Sequence, residues 1–68
     1  MATVAIKQFN REIERYHVMA NKLTPSNTAQ AVGKAKRLVA SGKMEPGYFD
    51  FIIYTRSGLE ADGEVLIA

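Results

Sequence analysis

The stretch Val4-Ala5-Ile6-Lys7-Gln8-Phe9-Asn10-Arg11-Glu12-Ile13-Glu14-Arg15-Tyr16-His17-Val18-Met19-Ala20-Asn21-Lys22-Leu23 decides how this chain is read. Within it Ile6, Phe9, Ile13, Tyr16, Ala20 and Leu23 recur at spacings of 3, 4, 3, 4 and 3. On a helix that spacing keeps one apolar stripe on one side, so residues 4–23 are predicted helical, with Thr3 as N-cap. Lys7, Arg11, Arg15 and Lys22 then share the opposite side, with Glu14 among them. Ile13, mid-stripe, is expected to be buried against Val32, Leu38 or Val39. The stripe is too short for a coiled-coil seam, which points to packing within the domain.

Thr24-Pro25 ends the first element and starts the next. Proline suits the first helical position and Thr24 its cap. A second helix is predicted from about Pro25 to Ser41, with Gly42 at the left-handed C-cap. Its apolar arc is Ala31, Val32, Ala35, Leu38 and Val39, and Gln30, Lys34, Lys36 and Arg37 lie opposite. A connection as short as Thr24 pairs the two helices as a hairpin.

Glu45-Pro46-Gly47-Tyr48 has proline and glycine in type II turn order. It leads into Tyr48–Thr55, a strand by residue preference. Phe49, Phe51 and Ile53 point one way, and Tyr48, Asp50, Ile52 and Tyr54 the other. Glu64–Ala68 is a second strand. Ser57-Gly58 and Asp62-Gly63 are both turn signals, and a single loop over residues 57–63 is favoured over a short strand at Leu59–Ala61. The fold expected is α+β: an antiparallel helical hairpin packed on a C-terminal β-hairpin, in the order α-α-β-β, as one domain over residues 1–68.

The 68 residues carry a net charge of +2 that conceals a strong asymmetry. Residues 1–43 hold eight basic side chains (Lys7, Arg11, Arg15, Lys22, Lys34, Lys36, Arg37, Lys43) against Glu12 and Glu14. Residues 44–68 hold Arg56 against Glu45, Asp50, Glu60, Asp62 and Glu64. Such polarity steers charged partners. The chain has no cysteine and a single histidine, so neither disulfides nor a Cys/His zinc site are expected, and no metal or cofactor is. No apolar run reaches the ~18 residues of a membrane span, and no signal peptide is read at the start. A cytoplasmic protein without membrane attachment is the expectation.

Catalysis finds no support in the residues. His17, between Tyr16 and Val18, has no nucleophile pattern around it, and it reads as a structural or surface histidine. Glu60, Asp62 and Glu64 lack the ligand spacing of a Ca²⁺ loop. Gly33-Lys34 has no glycine upstream to make a phosphate loop. Phe49, Phe51, Ile52 and Tyr54 fit part of an RNA-stacking pattern, but Gly47, Tyr48 and Asp50 break it. The chain is therefore not expected to be an enzyme.

Two binding surfaces remain. One is the basic face, Gly33, Lys34, Lys36, Arg37 and Lys43 with Arg11 and Arg15, where small residues would let an anionic partner approach between charges. The other is the sheet face of Tyr48, Ile52, Tyr54 and Leu66, whose apolar side chains call for a protein partner or a second subunit, with Asp50 limiting indiscriminate pairing. The leading expectation is a non-enzymatic interaction protein that docks on a larger protein partner and regulates or assembles it, in the manner of a phage or plasmid accessory protein. A homodimer is a further expectation. The alternative is DNA binding of winged-helix type. There Ala29-x-x-x-Gly33 marks the turn, Lys34, Lys36 and Arg37 head a recognition helix, and residues 57–63 form the wing.

Overall fold

The computed structural model describes residues 2–19 and 24–67. Its elements run β1 (Ala2–Gln8), β2 (Arg11–Val18), α1 (Pro25–Ala40), β3 (Gly47–Thr55) and β4 (Gly58–Ile67). The strands form one antiparallel sheet in the order β2-β1-β3-β4. The helix lies on one face of it. The order is thus β-β-α-β-β, which overturns the expected α-α-β-β helical hairpin.

The correction lies in residues 4–23. Where a helix was expected, β1 and β2 form a hairpin around Phe9-Asn10. Both turn residues have positive φ, 54° and 61°, the two-residue geometry that matches the right-handed twist of paired strands. Val4, Ile6 and Gln8 alternate inward on β1, and Val18 and Tyr16 do so on β2. The register shifts between Ile6, opposite Glu14, and Lys7, opposite Glu12. Ile13 is the extra residue of this β-bulge, and it is half-buried rather than central to the core. The helix-like spacing arose because the turn and the bulge shift the two-residue rhythm of the strands into apparent steps of three and four. Ala20, Lys22 and Leu23 lie outside the described residues.

The second predicted helix is present and its ends follow capping chemistry. Thr24 is extended (φ −114°, ψ 159°), and its hydroxyl accepts from the Asn27 N–H at 3.1 Å. Pro25 opens the helix. At the other end Gly42 has φ 81°, which permits a paired closure: its N–H donates to Val39 O (3.1 Å) and the Lys43 N–H to Leu38 O (2.9 Å). Gly33 lies inside a continuous helix. No turn breaks it, so the winged-helix order is overturned as well. Residues 57–63 form no wing. They belong to the turn at Arg56-Ser57 and to β4, which pairs along β3 from Thr55–Gly58 to Gly47–Ile67.

Ala31, Ala35 and Leu38 of α1 press onto Val4, Ile6, Phe49, Phe51, Ile53 and Ile67 of the sheet, with Val18 and Met44 closing the ends. Small helix residues let α1 sit close to the large strand side chains. Gln8 ties the connection after α1 to the sheet. Its buried side-chain amide donates to Glu45 O (2.8 Å) and Tyr48 O (3.3 Å), and its carbonyl accepts from the Glu45 N–H (2.9 Å). Among the described residues no helix is long and apolar enough to cross a membrane.

Candidate functional site: the open sheet face

A helix on one face leaves the other open, and strand alternation sets what stands there. β3 contributes Tyr48, Asp50, Ile52 and Tyr54. β4 contributes Leu59, Asp62, Glu64 and Leu66, β1 contributes Thr3, Ala5 and Lys7, and β2 contributes Glu12, Arg15 and His17. The register aligns them in rows across the sheet: His17–Thr3–Tyr54–Leu59, then Arg15–Ala5–Ile52–Asp62, then Glu12–Lys7–Asp50–Glu64. Tyr48 and Leu66 end the face as a fourth, two-residue row.

Three of these side chains are large, apolar or aromatic, and mostly in water: Tyr48 is 62%, Leu59 60% and Leu66 57% exposed. Ile52 and Tyr54 are half-buried. At the centre Ala5 is fully covered although it faces away from the core, because Arg15 and Ile52 flank it. The middle of the face is therefore closed over Ala5 by its neighbours.

Charge divides the face across the strands. Lys7 and Arg15 stand on the β1–β2 side together with the carboxylate of Glu12, and Asp50, Asp62 and Glu64 stand on the β3–β4 side, so one side is mixed and the other wholly acidic. Arg15 Nη2 donates to Glu12 Oε1 at 2.8 Å, with Nε at 3.3 Å. That bond and the Glu12 charge hold the guanidinium above its usual range, with a small contribution from Tyr54. His17 Nδ1 and Thr3 Oγ1 stand 3.3 Å apart. The three carboxylates flank Ile52 and Gly63 around an open depression of about 370 Å³. Among the described residues no cluster of His, Asp and Glu is arranged to hold a metal ion.

The basic residues singled out in the sequence divide between surfaces. Lys34, Arg37 and Lys43 meet around one depression beside Glu14 and Ser41. Arg11 and Lys43 border a second, with Phe9 and Gly42. Lys36 is exposed on α1, and a notional Cβ on Gly33 would meet nothing within 4 Å beyond its own stretch of helix backbone. Arg15 stands apart on the open sheet face, which corrects its expected alignment with Arg11. Lys34 is half-buried, with Nζ 4.7 Å from the centre of the Tyr16 ring, so it serves packing as well as charge. Burial, then Glu14, pushes the Tyr16 phenol up.

Sequence reasoning missed Phe9, which is 76% exposed at the hairpin tip, and the β1–β2 half of the open face. Asn10 was the available turn signal. Comparison with protein families, curated proteins and solved structures gives no match to this chain.

Proposed function

We propose that the chain is a non-enzymatic interaction protein whose open sheet face packs against a protein surface, and that it assembles or regulates what it binds. The observation carrying this reading is the face itself: Tyr48, Leu59 and Leu66 are exposed around a centre of Ala5, Ile52 and Tyr54. Exposed aromatic and aliphatic groups with a charged rim are the composition of a docking surface. The test is affinity capture from lysate on immobilised chain, with nuclease present. Retained protein that is lost with Ile52→Glu and kept with Lys36→Ala/Arg37→Ala supports the reading. The opposite pattern overturns it.

A second reading, nucleic acid or another polyanion, is favoured by Phe9 standing exposed beside Arg11 and Lys43. An aromatic flanked by cations suits base stacking with phosphate contacts. Binding there would fall steeply with salt.

A further inference from the structure

We infer that the open face is built to receive a second copy of this chain, face to face, about a two-fold axis parallel to the strands. The inference rests on the docking reading above and names the occupant. Rotation about such an axis lays β2 of one copy over β4 of the other, and β1 over β3. Each row then meets its own reverse. Arg15 faces the partner's Asp62, and Lys7 faces the partner's Asp50. Ala5, itself covered by Arg15 and Ile52, lies opposite the partner's Ile52 at the centre of the interface. Thr3 faces the partner's Tyr54. Every contact occurs twice, as an isologous interface requires. The outermost pair, Glu12 against the partner's Glu64, is like-charged, and it lies beside Lys7 and the partner's Asp50.

The alternative two-fold axis, across the strands, stacks β2 on β2 and β4 on β4. That reverses the order of the rows: with the Arg15 row centred, Arg15 and Asp62 each stand over their own copies, and with the axis between the Arg15 and Lys7 rows Asp62 stands over the partner's Glu64, so like-charge repulsion disfavours either placement. The charge division across the face thus selects one mode. Arg15 leaves room for it, because Glu12 takes Nε and Nη2 and the other edge of the guanidinium remains available. The helices, with Lys36 and Arg37, lie on the two outer sides of such a dimer.

Four strands about 4.8 Å apart, each presenting roughly seven residues at about 3.3 Å, make a face of roughly 400 Å² in plan. Two such faces fall below the ~1,200 Å² of a standard stable interface, which sets a weak, reversible dimer. Sedimentation equilibrium from about 5 μM to about 1 mM, equivalent to −7 to −4 kcal/mol, covers that range. The parent should pass from monomer to dimer within it.

Arg15→Asp and Asp62→Arg test the mode, since both positions are exposed. Each variant alone should weaken self-association by more than about tenfold, because it places two like-charged contacts across the axis. Mixed in equal amounts, the two variants should form a heterodimer of near-parental strength, because both contacts regain opposite charges. A parent that stays monomeric at about 1 mM, the limit of millimolar affinity, overturns the inference. So does a mixture that stays monomeric while the parent dimerises. If the parent is monomeric yet still captures a foreign protein in an Ile52-dependent way, only the second copy is overturned and the docking face stands.

Discussion

The ring of Phe51 lies where a side chain on Gly63 would stand. A Cβ at Gly63 would come within 2.8 Å of Phe51 Cε1 and 2.9 Å of Cζ. The two residues are direct partners across β3 and β4, and Phe51 is buried. Gly63→Ala must therefore displace a core ring, and we expect a loss of about 1–3 kcal/mol. In a domain of this size that lowers the melting temperature by several degrees. A variant that melts with the parent would refute the cross-strand contact.

Gly33 shows the opposite situation. It lies mid-helix with open space around its notional Cβ. Gly33→Ala should stabilise the fold by up to roughly 1 kcal/mol, through restricted unfolded backbone and better helix propensity. Urea denaturation gives the sign directly. Destabilisation would mean that the helix does not run unbroken through residue 33.

Phe9 holds φ 54° with its ring mostly in water. A bulky residue there bears backbone strain that its side chain does little to offset. Replacing the turn by Phe9→Asn with Asn10→Gly supplies the residues this turn geometry favours. A gain on the order of 1 kcal/mol is expected, read from the shift of the chemical denaturation midpoint at unchanged slope.

Tyr16 packs against the core, and its hydroxyl is buried without a hydrogen-bond partner. Tyr16→Phe keeps the ring under Lys34 and removes that oxygen. Stability at neutral pH should be unchanged or higher by up to about 1 kcal/mol. The folded phenol titrates above its unfolded value, chiefly because burial disfavours the anion. That stabilisation is complete below the unfolded value near pH 10 and is lost as pH rises through the folded value. The Phe variant should therefore keep a constant margin over the parent below about pH 10 and gain on it as the pH rises above that value, with Tyr48 and Tyr54 common to both.

The helix over residues 25–40 was legible because its signals are local: Thr24-Pro25 at one end, Gly42 at the other, and apolar positions in phase between them. The two faces of β3 were legible from simple alternation. Residues 4–23 were misread because Ile6, Phe9, Ile13 and Tyr16 satisfy a helical rhythm only by counting a turn residue and a bulge residue as core. Val4 and Val18, which are buried, lay outside that stripe. β4 was shortened for a related reason. Its register shifts beyond Ala61, and Gly63 looks like a turn residue when its cross-strand partner is unknown. Tertiary pairing decided both segments. The open face was half visible for the same reason: Tyr48, Ile52, Tyr54 and Leu66 followed from alternation, but Lys7 and Arg15 joined them only once their segments became strands.

The Gln8 tie and the pairing of Thr3 with Tyr54 join sequence-distant parts of the chain, whereas β1–β2 and β3–β4 are each joined by a two-residue turn. The sheet is two locally closed units meeting along one seam. Each unit can form and dissolve on the microsecond scale of a hairpin, but neither buries a core alone. The slow event in folding is then the encounter that creates the β1–β3 seam, because its contacts are the non-local ones. Amide hydrogens along Val4–Lys7 and Asp50–Ile53 should exchange only when the whole molecule opens, and those on the outer strands β2 and β4 sooner. A substitution along that seam should slow refolding, and one at either hairpin tip should chiefly hasten unfolding.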